Sequence, residues 1–211
     1  MGLLDQIAEG VINGDDELVA ELTQQVIEQN TPPKQILDDG LIAGMNVVGQ
    51  RFKAHDIFLP DVLLAAKAMY AGMDLLKPLL IAQGIPSMGR VVICTVRGDL
   101  HDIGKNLVGI MLKGAGFDVI DLGRDVTPEE MVRAAKEQDA AVIGMSALLT
   151  TTMPVMGEAV ELLKQEKLDD KIKTIVGGAP VSKDFAQGIG ADAYGFDAAN
   201  AVDRVRQLVG A

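Results

Sequence analysis

From residue 90 onward the chain alternates short, continuous apolar runs with amphipathic stretches, and few folds accept that pattern. The runs fall at Val91 to Val96, Asp118 to Leu122, Ala140 to Met145, Thr174 to Val176 and Ala191 to Phe196. Helical patterns follow them, beginning near Gly104, Thr127, Met153, Ser182 and Ala198. A strand that is apolar on both sides must be covered on both, and parallel neighbours need a long crossover, usually a helix. The alternation therefore predicts an α/β unit built on a five-stranded, doubly wound, flavodoxin-like (Rossmann-type) parallel sheet.

The first 85 residues follow a helical period instead. A short helix runs over Leu3 to Val11. Asp15 and Asp16 then precede Leu18, Val19, Leu22, Val26 and Ile27, an acidic start before three- and four-residue spacing. Asn30-Thr31-Pro32-Pro33 breaks that helix, and a third places Ile36, Leu37, Leu41, Met45 and Val48 on one side. Leu59-Pro60-Asp61 opens a fourth, continued by Val62, Ala65, Ala66, Met69, Met73 and Leu76. These make a four-helix bundle. Gln83 to Gly89 holds two Gly and a Pro and reads as a linker, dividing the chain into a helical domain at 1–85 and an α/β domain at 90–211.

A formal net charge of -11 argues against a nucleic-acid partner and against an anionic membrane surface. No apolar stretch approaches the roughly 18 to 20 residues of a membrane span. The N-terminus lacks the basic start and apolar core of a signal peptide, so a cytoplasmic location is expected. The single cysteine, Cys94, excludes an intrachain disulfide and any cysteine cluster for zinc or iron–sulfur. Its apolar neighbours mark it as a buried small hydrophobe.

Open parallel sheets bind ligands beyond the carboxyl ends of their strands, near the point where the strand order reverses. In a 2-1-3-4-5 order, the loops after strands 1, 3 and 4 share one rim: Arg97 to Gly104, Ser146 to Thr152, and Gly177-Gly178-Ala179. The first carries Asp99, His101 and Gly104. A histidine there projects outward, and Asp99 is placed to accept the proton of its second ring nitrogen. Such a carboxylate fixes the tautomer and raises the basicity of a metal-bound imidazole. Gly104 leaves room for a bulky group at the helix start.

Two other readings of this pair stay open: a helix cap, or part of a zinc site. The only other histidine, His55, lies in the helical half. A lone imidazole suits a metal whose remaining ligands come from a macrocycle. The second loop is hydroxyl-rich, with Thr151 or Thr152 also able to cap the next helix, and it lacks the Gly-x-Ser-x-Gly elbow of a serine nucleophile. The third removes side chains where backbone approaches something, or makes a tight turn. Neither Gly-x-Gly-x-x-Gly nor a Walker A sequence follows the first strand.

Taken together, Asp99-Leu100-His101-Asp102-Ile103-Gly104, Ser146-Ala147-Leu148 and Gly177-Gly178 resemble a known signature. It is the Asp-x-His-x-x-Gly, Ser-x-Leu and Gly-Gly pattern of proteins that hold cobalamin base-off/His-on. Arg51-Phe52, Phe58-Leu59-Pro60-Asp61-Val62-Leu63 and Ala68-Met69 are similar to the helical cap of cobalamin-dependent methionine synthase. They are closer still to the small corrinoid proteins of methyltransferase systems, and the resemblance spans the chain. It implies that His101 ligates cobalt in place of dimethylbenzimidazole and is hydrogen-bonded by Asp99, with Asp102, Ile103 and Gly104 also at the cofactor. Thr152 would extend the relay, and Ser146, Leu148, Thr150, Gly177 and Gly178 would line a slot for the nucleotide tail. Phe58, Leu59, Val62 and Met69 would cover the other corrin face, Val62 and Met69 being read equally as bundle core.

The function that the resemblance implies is a methyl carrier whose cobalt cycles between Co(I) and methyl-Co(III). It would shuttle between a substrate-specific methyltransferase and a second methyltransferase that uses a thiol or tetrahydrofolate, with a reductive activase as a third partner. Similar carriers serve methanol, methylamines, quaternary amines such as glycine betaine, and methoxylated aromatics. The alternatives are an adenosylcobalamin mutase subunit, a cobalamin-dependent sensor or regulator, and a flavodoxin-like FMN binder or receiver domain. The methyl-type cap counts against the first, and the lack of length and basic charge for a DNA-binding module against the second. The bundle and His101 count against the third.

Overall fold

A computed structural model of the chain describes residues 2–83 and 87–210. Gly84, Ile85 and Pro86, at the centre of the expected linker, lie outside the described residues. The fold divides into two compact units, Met1–Ser87 with Gly114–Gly116 and Met88–Lys113 with Phe117–Ala211.

The helical unit holds α1 (Leu3–Asn13), α2 (Asp16–Glu28), a third run made of α3 (Pro33–Gln35), a π-helical stretch Ile36–Ile42 and α4 (Ala43–Lys53), and α5 (Leu59–Ala82). Asp15 caps α2, its Oδ1 accepting the Leu18 N–H at 3.0 Å. Ile7, Val11, Val19, Val26, Ile36, Leu41, Met45 and Val48 are buried, as are Val62, Ala65, Met69 and Leu76 of α5. The π-helical stretch departs from the regular third helix expected. Ile36 and Leu41 are both fully buried although they are five positions apart. An i to i+5 winding stacks them on one face, where α-helical winding would separate them. Leu37, expected on the buried side, is half-buried, and Leu18 of α2 faces solvent.

The α/β unit runs β1 (Arg90–Thr95), α6 (Ile103–Gly114), β2 (Asp118–Asp121), α7 (Pro128–Glu137), β3 (Val142–Ser146), α8 (Pro154–Gln165), β4 (Lys173–Gly177), α9 (Lys183–Ile189), β5 (Ala193–Gly195) and α10 (Ala198–Val209). The sheet order is β2-β1-β3-β4-β5, with every pairing parallel. Val91 to Cys94, Val142, Ile143, Met145 and Val176 are buried, which is why these strands read as continuous apolar runs. Thr127, Ser182 and Asp197 cap α7, α9 and α10 through their side chains.

The register sets the working edge. Thr95 pairs with Ser146, Ser146 with Gly177 and Gly177 with Gly195, so four strands end in one row. Because all five strands are parallel, the loops after β2 and β5 emerge at that edge as well, two more than the three loops expected to form the rim. No helix among the described residues is long and apolar enough to cross a membrane.

Candidate functional site

β1 ends at Thr95 and the chain becomes helical again only at Ile103. The segment between must satisfy its backbone polar groups without a ladder of its own, and Asp99 organises it. The Asp99 side chain is fully buried, 0% exposed. One carboxylate oxygen, Oδ1, accepts the His101 ring Nδ1–H at 2.7 Å and the His101 backbone N–H at 3.1 Å. The other, Oδ2, accepts the backbone N–H groups of Leu148 at 2.7 Å and Leu149 at 3.1 Å, and the Thr152 hydroxyl at 2.9 Å. The Thr152 oxygen also lies 2.9 Å from the Leu149 carbonyl. It has one proton to give, and a carboxylate is the stronger acceptor.

These bonds decide the protonation states. Burial pushes the Asp99 carboxyl up, but the hydrogen bonds from His101, Leu148 and Thr152 outweigh it and hold the group well below the usual carboxylate range. An ionised carboxylate only accepts, so the proton of a neutral His101 ring must sit on Nδ1. That leaves a lone pair on Nε2. The side chain is 53% exposed, and among the described residues no hydrogen bond engages Nε2. From the other side, the Thr95 hydroxyl donates to the His101 carbonyl at 2.9 Å.

The geometry closes two of the open readings. With Asp99 accepting from His101, Leu148, Leu149 and Thr152, it caps no amide of α6. Thr152 is turned to Asp99 and does not cap α8, which starts without a side-chain cap. Among the described residues no group of three or more His, Cys, Asp or Glu could hold a metal ion. His101 is left with an exposed ring nitrogen, Nε2, that no hydrogen bond engages among the described residues.

The glycine pair differs by position. Gly178 has φ +127°, and a Cβ there would lie 1.9 Å from the Ala147 carbonyl oxygen. The loops after β3 and β4 thus touch backbone to backbone. Gly177 is milder, its Cβ meeting the Gly195 oxygen at 3.0 Å. Ser146 is half-buried at the end of β3, Leu148 and Thr150 are exposed in the loop beyond it, and Asp102 and Ile103 follow the histidine. A Cβ on Gly104 would meet nothing within 4 Å, so the space over the start of α6 is open.

The residues expected to cover a ligand do not behave alike. Val62 and Met69 are sealed in the bundle core, 0% and 1% exposed, and present no surface to any ligand. They lie on the stripe of α5 with Ala65, Gly72 and Leu76, and a Cβ on Gly72 would strike Leu41 and Val19. Phe58, at the entry to α5, is 70% exposed, and Leu59 is half-buried. Sequence reasoning missed Leu149, whose amide holds Asp99. It also missed Leu100 and Phe196, large apolar side chains left exposed at the strand ends. Gly123-Arg124-Asp125 was missed too, although a glycine and two charged residues shortly after β2 signal another rim loop.

Leu100, Ile103, Leu148 and Leu149 leave exposed apolar side chains in the histidine loop and the loop after β3, and Phe196 is exposed after β5. Soluble proteins leave such patches where something binds. One imidazole with an exposed ring nitrogen, set among exposed apolar side chains at the strand ends, suits a flat metallated macrocycle. The fold and site thus define an α/β protein whose strand-end rim suits a metal macrocycle.

Known proteins agree. A B12 binding domain matches residues 89–205, and another B12 binding domain matches residues 3–77. The chain belongs to the B12-binding corrinoid proteins of methyltransferase systems, and its cofactor is a cobalamin-type corrinoid. It is 44% identical to dimethylamine corrinoid protein 3 of Methanosarcina acetivorans, over 99% of this chain and 97% of that one. A corrinoid protein of Desulfitobacterium hafniense is 42% identical over 100% of this chain and 99% of its own length. Among solved structures, the methanol:cobalamin methyltransferase complex of Methanosarcina barkeri superposes with a TM-score of 0.88 at 34% identity. It covers 99% of this chain and 80% of that one. A cobalamin-binding protein from Desulfitobacterium hafniense gives 0.80 at 33% identity, covering 97% and 98%.

Proposed function

We propose that this chain is a methyl carrier that holds its corrinoid base-off with His101 as the lower axial ligand. It passes methyl groups from a substrate:corrinoid methyltransferase to a second methyltransferase acting on a thiol or tetrahydrofolate, and a reductive activase restores it after oxidation. The observation that carries this is the bonded line Thr152–Asp99–His101, which ends at an exposed Nε2 that no hydrogen bond engages among the described residues. When bound, the corrinoid supplies a cobalt that takes up a methyl group in its reduced state and releases it to a nucleophilic acceptor. The chain's own residues do the rest. Asp99 holds the imidazole in the tautomer that can ligate and raises its basicity. Ser146, Leu148, Thr150, Gly177 and Gly178 form the slot for the nucleotide tail, with Asp102, Ile103 and Gly104 beside the ring. Phe58 and Leu59 shield the opposite face from oxidants.

Relatives named for dimethylamine and trimethylamine, and a structural neighbour from a methanol system, support methylated amines or alcohols as the source. Their match over nearly the full chain favours a carrier over a mutase subunit or a regulator. The test has two parts. Cobalamin-loaded protein is expected to show a base-off/His-on spectrum that His101→Ala abolishes; dimethylbenzimidazole coordinated in both would contradict it. The reduced, loaded protein is expected to accept methyl from such donors only when a partner methyltransferase is added, and consumption of donor by this chain alone would refute the carrier reading.

A further inference from the structure

The histidine loop is gripped from both sides, because β1 lies between β2 and β3. The β3 side holds the Asp99 side chain, as described above. The β2 side holds the backbone, through Asp125 in the loop before α7. Its Oδ1 accepts the Gly98 N–H at 2.7 Å, and its own N–H donates to the Asp99 carbonyl at 3.2 Å. The two residues on either side of the Gly98–Asp99 peptide bond are thereby tied to one partner.

Asp125 does this in an unusual conformation. Five non-glycine residues have positive φ among the described residues: Asn30, His55, Asp125, Asp139 and Lys167. Four of them sit two positions beyond the ends of α2, α4, α7 and α8, the ordinary place for a left-handed residue. Asp125, at φ 58°, follows no helix. Its conformation has another use. In an extended strand successive N–H groups point to opposite sides, yet the N–H groups of Asp125 and Val126 both reach toward β1, to Asp99 and Thr95. A left-handed residue turns two consecutive amides the same way. Gly98, which receives the carboxylate, is left-handed too, at φ 81°.

From this arrangement we propose that Asp125 is a positioning residue for the corrinoid's lower ligand. It fixes the backbone of Gly98 and Asp99 from the β2 side, and so sets where the Asp99 carboxylate presents the His101 ring. The proposal rests on His101 being the axial ligand. It requires an accepting oxygen on a residue that tolerates left-handed backbone, which Asn also supplies and Gly supplies only in part.

Wild-type, Asp125→Gly and Asp125→Asn chains are compared in two states. In the apoprotein, NMR follows solvent exchange of the His101 Nδ1 proton. In the cobalamin-loaded Co(II) protein, EPR reads the ratio of His-ligated to unligated cobalt. Asp125→Gly keeps the backbone conformation and loses the acceptor. Its proton exchange is expected to quicken roughly five- to tenfold, the size of one net hydrogen bond, and its ligation ratio to fall by a similar factor. Asp125→Asn is expected to match wild type in both. Wild-type values in Asp125→Gly would overturn the proposal, as would an Asn variant as impaired as the Gly variant. A lowered melting temperature with exchange and ligation unchanged would overturn it too, leaving Asp125 a purely structural residue. A wild type lacking an axial histidine nitrogen would refute the reading of His101 instead, and the apoprotein measurement would still decide whether Asp125 holds the loop.

Discussion

At each edge of the sheet one carboxylate gathers hydrogen bonds from its neighbours, and the two networks end differently. At the amino edge, Asp192 accepts the Thr174 N–H at 2.8 Å and the Thr174 hydroxyl at 2.9 Å, and Lys173 lies 3.7 Å away. The Asp192 N–H returns to the same hydroxyl at 3.2 Å. That circuit closes on itself and ties the start of β4 to the approach to β5. At the carboxyl edge, Asp99 ties the loops after β1 and β3 together with bonds of similar lengths, but one of its partners is an imidazole facing solvent. A closed circuit of polar groups is structure. One that ends on an exposed ring nitrogen leaves a group open to a ligand.

The comparison can be broken at several points. The largest expected effect is at Gly178. Gly178→Ala combines strained backbone, worth about 1–3 kcal/mol, with a Cβ driven into the Ala147 oxygen. Chemical denaturation is expected to show a loss above that range, together with weakened cobalamin binding. Asp99→Asn comes next. The amide presents N–H groups to N–H donors, and leaving such groups unsatisfied costs about 1–3 kcal/mol. Its pH dependence has a definite sign. The folded state lowers the Asp99 pKa, so the carboxylate's contribution is complete above the unfolded value of about 3.9 and fades as pH falls through the lower folded value. The stability gap between wild type and Asp99→Asn is therefore expected to stay flat from neutral pH down to that point and to shrink only below it. A gap that closes between pH 7 and 5 would contradict the ionised network.

Asp192→Asn is expected to cost less, about 1 kcal/mol, and to leave the cobalamin spectrum unchanged; a changed spectrum would erase the distinction between the two edges. Phe58→Ala is expected to leave stability within about 0.5 kcal/mol, as befits an exposed side chain, while speeding oxidation of the Co(I) form. An unchanged oxidation rate would remove Phe58 from the shielding role.

Much of this was legible before any coordinates, for physical reasons that also mark where legibility stops. Burial on both faces writes the strands as unbroken apolar runs, so Val91 to Val96 could be read directly. The shortened β5, Ala193–Gly195 against an expected Ala191 to Phe196, shows that such runs set strand ends only loosely. The π-helical stretch was hidden because Leu37, Leu41, Met45 and Val48 stand four, four and three positions apart, which reads as an ordinary α-helix. His101 and Asp99 share one loop and could be paired on spacing alone. Thr152, 53 positions from Asp99, could be paired only through a resemblance. The amides of Leu148 and Leu149 carry no side-chain signal, so two of the five hydrogen bonds to the Asp99 side chain were invisible. Val62 and Met69 show the converse: an apolar stripe on a helix looks the same whether it faces a ligand or the bundle's own core.

The central claim is that the lower ligand is a nitrogen of this chain's own histidine. EPR of the cobalamin-loaded Co(II) protein tests it directly, because one axial 14N splits each cobalt line into a triplet and 15N splits it into a doublet. Protein grown with 15N-labelled histidine and loaded with unlabelled cobalamin is expected to give doublets. Triplets that persist after labelling would place the cofactor's own base on the metal and contradict the account.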